Sequence, residues 1–344
     1  MAMARPELTA RRFAALLVVF AVLGLAVGAA CVFIGPVPIA PGRTLSILTG
    51  AHPAGSEVEL DIVWNQRVPR VALALLAGGA LAVAGAVFQA LLRNSLATPD
   101  TLGVSAGGAL GASVAMFFNL EWVGGSVIGS VQLCALLGSL CIMGVIYVLA
   151  RQRERFSTLK LLLAGVTLSL VCSAVIMFVR YLAEPHKLVV LDRWLMGGLD
   201  VQGYQSIASV MPVFLPALVV LLCQVNNLNQ LSFGEELAAG RGLDVRAVQG
   251  ACFVAGSVLT ASVVSVAGPI GFVGLIVPHV LRLLLGPDHR TLLFASFFAG
   301  GAFLALADTV ARTVFAPTEL PVGVITAMMG GPFFLVLLVR MGRS

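Results

Sequence analysis

Long charge-free apolar runs recur along this chain, with neither period-two alternation nor an amphipathic stripe. No Asp, Glu, Lys or Arg occurs from Phe13 to Gly42, Val71 to Leu92, Trp122 to Ala150, Val201 to Gly234 or Ala247 to Leu281. A helix of ~20 apolar residues crosses the ~30 Å hydrocarbon core of a bilayer. In lipid only a helix or a closed barrel satisfies its own backbone hydrogen bonds, and unalternating runs of this length exclude a barrel. The pattern predicts an all-α, polytopic membrane protein.

Segmenting the runs gives ten spans, near 13–34, 71–92, 101–120, 123–150, 161–180, 204–223, 247–266, 270–285, 291–312 and 320–339. The Ala247–Leu281 run would make a helix of about 52 Å, too long for one crossing. Gly268-Pro269 is the natural break, since proline lacks an amide donor and disfavours a helical residue before it. The segment beyond the break, to Leu285, is short: either a full span or a partly re-entrant one, so nine spans is the alternative. The first run is about 22 residues, longer than the apolar core of a signal peptide, and is expected to stay as a transmembrane helix.

Charge sets the orientation. With the N-terminus inside, fourteen Lys and Arg residues fall on the inner side and seven on the outer, which places both termini in the cytoplasm. The pI near 9.1 then follows from topology, and nucleic-acid binding has no part in it. The longest polar stretches, 36–66 and 226–246, are too short to build a core, so residues 1–344 are expected to form one transmembrane domain. Cys31, Cys134, Cys141, Cys172, Cys223 and Cys252 lie in or at the edge of spans without CxxC or Cys/His spacing. Buried free thiols are expected, with no metal site and no cofactor. Gly103, Gly107 and Gly111 put a bare stripe on one helix face, for close packing or for a moving helix interface.

Candidate chemistry narrows quickly. A Walker A loop needs Gly-Lys-Ser/Thr, whereas the two lysines are Lys160 after Leu159 and Lys187 after His186. ATP-driven work must therefore come from a partner, and the chain itself is expected to be a transport subunit with no catalytic residue. Asp308 is the acidic residue well inside a span, and Arg312 shares its helix face four residues on. A structural ion pair is the first reading and an ion-coupled carrier the competing one.

The most legible polar stretch is 231–244, LSFGEELAAGRGLD. Ser232 and Glu235 read as a capping box that starts a short helix, Ala238 and Ala239 carry it, and Gly240 or Gly242 ends it. Asp244 can cap the next span. With Glu236, this makes a short capped helix with an acidic face on the cytoplasmic side, either a docking element or a rigid connector.

That stretch resembles the coupling loop of ABC importer permeases, and the likeness extends along the chain. The segments RVPR (67–70), GAVFQALLRNSLATP (85–99), LGVSAG (102–107), LLLAG (161–165), WLMGG (194–198), GPIGFVGLIVPH (268–279) and ELPVG (319–323) resemble those of the FecCD family of iron-chelate and vitamin B12 permeases. The resemblance implies a vitamin B12 permease-like (type II importer) architecture of ten helices in a bacterial inner membrane. It implies as partners a second permease, an identical copy or a paralogue, with two cytoplasmic ABC ATPase subunits, a periplasmic substrate-binding protein and the surrounding lipid. By position it implies ATPase coupling through Ser232, Glu235, Glu236, Ala238, Ala239, Gly240 and Gly242. Arg67, Arg70 and Arg312 match positions that dock the binding protein, where the planar guanidinium suits carboxylates. Asn94, Leu96, Ser157 and Thr158 match cytoplasmic gates, and Arg180 lies where the family's pathway is lined. Ser95 departs from the usual Asn-Pro-Leu-Ala of the first gate. The implied cargo is a ferric chelate, siderophore or haem, with a corrinoid as the alternative. Arg180 either favours an anionic cargo or snorkels or pairs with Glu184 at helical spacing.

Overall fold

The computed structural model describes residues 10–50, 55–120, 129–150 and 158–341. Its helices are α1 Ala10–Phe33, α2 Pro41–Leu48, α3 Glu57–Asp61, α4 Val68–Leu91, α5 Val104–Phe117, α6 Ser130–Ala150, α7 Thr158–Leu182, α8 Pro185–Leu195, α9 Gln205–Cys223, α10 Val225–Ser232, α11 Glu235–Gly240, α12 Val245–Ala267, α13 Val273–Leu285, α14 His289–Thr313 and α15 Val322–Met341. No strand occurs among the described residues. Each of the ten expected spans coincides with one helix: α1, α4, α5, α6, α7, α9, α12, α13, α14 or α15. The chain is a multi-pass, all-helical membrane protein.

Among the described residues, seven helices are long and apolar enough to cross a bilayer unaided, while α5, α13 and the apolar part of α15 are shorter. The break falls at Gly268, which takes φ +66°, a conformation glycine adopts without steric cost. With 13 residues, α13 is about 20 Å long, so irregular backbone at 268–272 completes that segment. Such backbone is tolerated at membrane depth only when protein covers it. Here Gly198 N donates to Ala267 O at 2.8 Å, and Gly323 N donates to Gly197 O at 3.2 Å. Three of the family-like segments, 194–198, 268–279 and 319–323, thus meet at one knot, where a methyl on Gly197, Gly268 or Gly323 would strike backbone.

The centre of the molecule is α4, flanked by α12, α13 and α14. Of the most apolar window in the helix that contains α4, 83% is buried, against 22% for α1, α6 and α7, so α4 forms the inner shaft and the others line the periphery. Lipid supplies no hydrophobic drive between helices, so association depends on close contact of small residues. Gly78 lies on Gly300, Gly301 on Leu75, and Gly85 on the Gly274 carbonyl. In the bare stripe on α5, Gly107 and Gly111 press on Gly138 and Cys134 of α6, while Gly103 takes φ +86° and starts the helix.

Before α4 runs a π-helical turn, Ile62–Arg67. Proline at 69 has no amide to donate to Asn65 O, and Gly203 N fills that carbonyl at 2.7 Å. The start of the central helix is thereby fixed to the loop before α9.

Candidate functional site

Near the N-terminal end of α4, helices α1, α4 and α14 converge on charged side chains. Arg70 forks onto Asp308, with Nε to Oδ2 at 3.0 Å and Nη2 to Oδ1 at 3.0 Å, and reaches Glu319 through Nη1 at 2.6 Å. Arg312 Nε stands 3.6 Å from Asp308 Oδ2, the same-face pair expected from sequence, but the stronger partner of Asp308 is Arg70 from a different helix. Arg67 donates to Val32 O at 3.1 Å, Phe33 O at 3.3 Å and Val37 O at 2.5 Å. Arg312 Nη2 donates to Cys31 O at 2.7 Å. Two guanidiniums thus satisfy the last carbonyls of α1, groups that a helix end leaves without internal partners.

The arginines matched to binding-protein docking are therefore turned inward: Arg67 is 3% exposed, Arg70 9% and Arg312 1%. Their partners are carboxylates and α1 carbonyls within the chain. Glu319, about a quarter exposed, is the part of this cluster nearest solvent. Beside it a cavity of about 420 Å³ is lined by Arg70, Arg193, Trp194, Asp200, Glu319 and apolar side chains including Met116, Val189 and Leu320. Its exposed charges are paired, with Arg193 Nη2 donating to Asp200 at 2.9 Å.

Arg180 pairs with Asp192 and not with Glu184. Its two terminal nitrogens reach Asp192 of α8 at 2.6 and 3.2 Å. Glu184 instead precedes Pro185 as the residue that opens α8, with its carboxylate 3.4 Å from His186. The turn at 183–184 redirects the chain, so the four-residue spacing does not continue on one helix face.

On the opposite side, α10 and α11 connect α9 to α12. The capping box is not formed. Ser232 closes α10, its hydroxyl donating to Asn229 O at 2.7 Å, and Gly234 at φ +121° begins α11. Because α10 continues through Ser232, the hydroxyl serves that helix and not the next. The far end reads as expected: Gly242 at φ +85° ends the helix, with Leu243 N on Ala238 O at 3.2 Å and Gly242 N on Ala239 O at 2.9 Å, a Schellman motif. Asp244 caps α12 through Ala247 N at 3.0 Å.

The two neighbouring glutamates divide. Glu236 is exposed with Ala239 and Gly240, while Glu235 turns toward the body with the buried Ala238. Phe233 is 65% exposed and Leu237 62%, so an apolar pair one turn apart stands in the α10–α11 connector. Arg241 sits 5.6 Å from the Phe233 ring. Two large apolar residues at i and i+4 inside the most polar connector were the signal for this surface, since exposed apolar patches mark interaction sites.

A set of polar residues not singled out from sequence fastens α10 to the turn between α13 and α14. Asn229 Nδ2 donates to Asp288 Oδ1 at 2.7 Å, and its Oδ1 accepts from His289 N at 2.8 Å. Arg290 Nε donates to Asn226 Oδ1 at 3.0 Å. Asn94 and Leu96 lie in the segment 92–103, where Asn94 Oδ1 accepts from Leu96 N at 3.0 Å. Thr158 opens α7, and Ser157 lies outside the described residues.

Residues 16–340 match the profile of the FecCD transport family. The chain is 40% identical over 305 residues to the vitamin B12 import system permease protein BtuC of Salmonella paratyphi A, covering 89% of each. It is 38% identical to the hemin transport system permease protein HmuU of Yersinia pestis, covering 81% of this chain and 85% of that one. Its fold matches the solved inward-facing conformation of a metal-chelate type ABC transporter with TM-score 0.82 and 28% identity, over 95% of this chain and 99% of the other.

Proposed function

Since the chain belongs to the FecCD transport family, we propose that it is the membrane-spanning subunit of a binding-protein-dependent ABC importer that carries a ferric chelate across the inner membrane. The observation that carries this reading is the exposed connector α10–α11. It presents Phe233, Glu236 and Leu237 between two spanning helices of a chain whose lysines form no Walker A loop. Such a surface suits a soluble ATPase, with an apolar centre and a charged rim. Two ATPase subunits dock there, one on each copy of a permease pair. Both termini lie in the cytoplasm.

The pair is completed by a second copy. The outward faces of α7 and α15 carry Leu163, Leu170, Phe178, Met328 and Met329, all exposed in the single chain, and are covered by lipid and by that copy. Outside, a binding protein settles on the platform that the Arg67–Arg70–Arg312 cluster holds rigid, with Glu319 and the loop residues around it as the contacting groups. Inside, Asn94, Leu96, Ser157 and Thr158 close the pathway, and ATP-driven closure of the partners switches which end is open.

The ferric-chelate cargo is supported by the likeness to the metal-chelate type transporter. A corrinoid is the second reading, supported by the identity to BtuC over 89% of both chains. Arg180 is engaged by Asp192 and so offers no uncommitted cation to an anionic cargo. The test is uptake into proteoliposomes holding the chain with its ATPase, supplied with the binding protein and haem, a ferric hydroxamate or cyanocobalamin. ATP-dependent uptake of a ferric chelate is expected, selective uptake of cyanocobalamin favours the second reading, and uphill uptake without the ATPase overturns both.

A further inference from the structure

The coupling segment touches the first gate loop directly, through one pair of side chains. Arg93 Nη2 lies 3.6 Å from Glu235 Oε1, and Gln249 Nε2 of α12 donates to the same oxygen at 3.3 Å. Glu235 is thereby the inward-facing glutamate of α11, gripped between α12 and the residue that comes just after the end of α4. Arg93 is the first step into the gate loop, one residue before Asn94.

The backbone at Arg93 supplies a second, independent observation. There α4 ends in a Schellman motif, with Asn94 N on Gln89 O at 3.1 Å and Arg93 N on Ala90 O at 3.3 Å. This pattern puts Arg93 in the left-handed position, at φ +47°, where glycine is the usual occupant. Helix α11 ends in the same bond pattern, with Gly242 in that position. An arginine there is disfavoured by the backbone, so its side chain must serve something the cap alone does not need. Its partner in the structure is Glu235.

We propose that Glu235 and Arg93 are a positioning pair that conveys movement of the coupling helix to the gate loop of Asn94 and Leu96. The inference rests on reading α11 as the ATPase-docking element. Asn229 bolts α10 to the α13–α14 turn through hydrogen bonds of 2.7 and 2.8 Å, so that side of the connector moves with the body. The Glu235–Arg93 contact is longer and half-exposed, and it lies on the side facing the gate. A displaced α11 therefore drags or releases the start of the gate loop, while the cap holds the end of α4. Both groups are charged, so the link operates without a fixed hydrogen-bond angle and tolerates sliding.

The test uses the assembled complex with its ATPase, the six cysteines replaced by serine and Leu96→Cys introduced as a reporter. The measured quantity is the labelling rate of that cysteine by a membrane-impermeant maleimide, with and without ATP and vanadate. In the parent the rate should change by about fivefold or more on nucleotide trapping, the scale of an allosteric coupling. Arg93→Gln should leave ATPase co-purification intact and abolish that response, Arg93→Lys should preserve it, and the exchange Arg93→Glu with Glu235→Arg should restore it. An undiminished response in Arg93→Gln overturns the proposal, as does loss of the response in Arg93→Lys. Failure of the ATPase to co-purify with the parent chain would instead defeat the docking reading on which it rests.

Discussion

The two ends of α4 are both held by an arginine and a carboxylate, yet in opposite ways. At its N-terminal end Arg70 is 9% exposed and grips Asp308 with two nitrogens at 3.0 Å. At its C-terminal end Arg93 meets Glu235 at 3.6 Å, with side chains 49% and 32% exposed. A buried charge left without its partner costs about 3–5 kcal/mol, while an exposed ion pair is worth about 0–1 kcal/mol. The same chemistry thus makes a fixed joint where water is excluded and a compliant one where it is not. The central helix carries one joint of each kind, which suits the alternating access proposed above.

The largest effect should come from Asp308→Ala, which removes the buried carboxylate shared by Arg70 and Arg312 and leaves Glu319 as the remaining carboxylate partner of Arg70. A loss of about 3–5 kcal/mol is expected, read as a lower thermal midpoint in detergent. Adding Arg70→Met should recover part of that loss, and no recovery would mean that Glu319 alone dominates the joint. Next, Gly85→Val places side-chain atoms against the Gly274 carbonyl and should cost about 1–3 kcal/mol by forcing α4 and α13 apart. If the midpoint is unchanged, the inner half of α4 is looser than its packing indicates. The smallest effect belongs to Arg180→Gln, whose pair with Asp192 has side chains 42% and 34% exposed. Less than about 1 kcal/mol is expected, and a larger fall would show that exposed pairs in this chain are not compliant.

The bounds of the apolar helices were legible because the bilayer acts as one uniform solvent, which every run of apolar residues reports. The break at Gly268-Pro269 was legible for an equally local reason, since proline acts through its own missing donor. Burial was not legible. Helices α4 and α7 are of nearly equal length and both strongly apolar, yet one is the shaft and the other the rim. Lipid tails are as apolar as a protein interior, so hydrophobicity does not distinguish the two.

The site divides along the same line. Asp244 as a cap and Gly242 as a helix stop depend on neighbours a few residues away, and both appear as read. Ser232 failed as a cap because α10 extends through it, which no property of Ser232 or Glu235 reveals. Arg70 finds Asp308 across 238 positions and Arg180 finds Asp192 across a turn. Spacing rules favour partners at i+4, so they nominated Arg312 and Glu184 instead. The Phe233 and Leu237 pair was within reach, had exposure been asked of the connector's apolar residues as well as of its charges.

Arg312 donates to Cys31 across 281 positions, so the end of α1 is finished by a side chain that α1 cannot supply itself. Without α14 that carbonyl keeps the longer donation from Ile34 N at 3.4 Å and loses its shorter one. A chain halted before Arg312 would therefore leave the carbonyl to water or lipid headgroups.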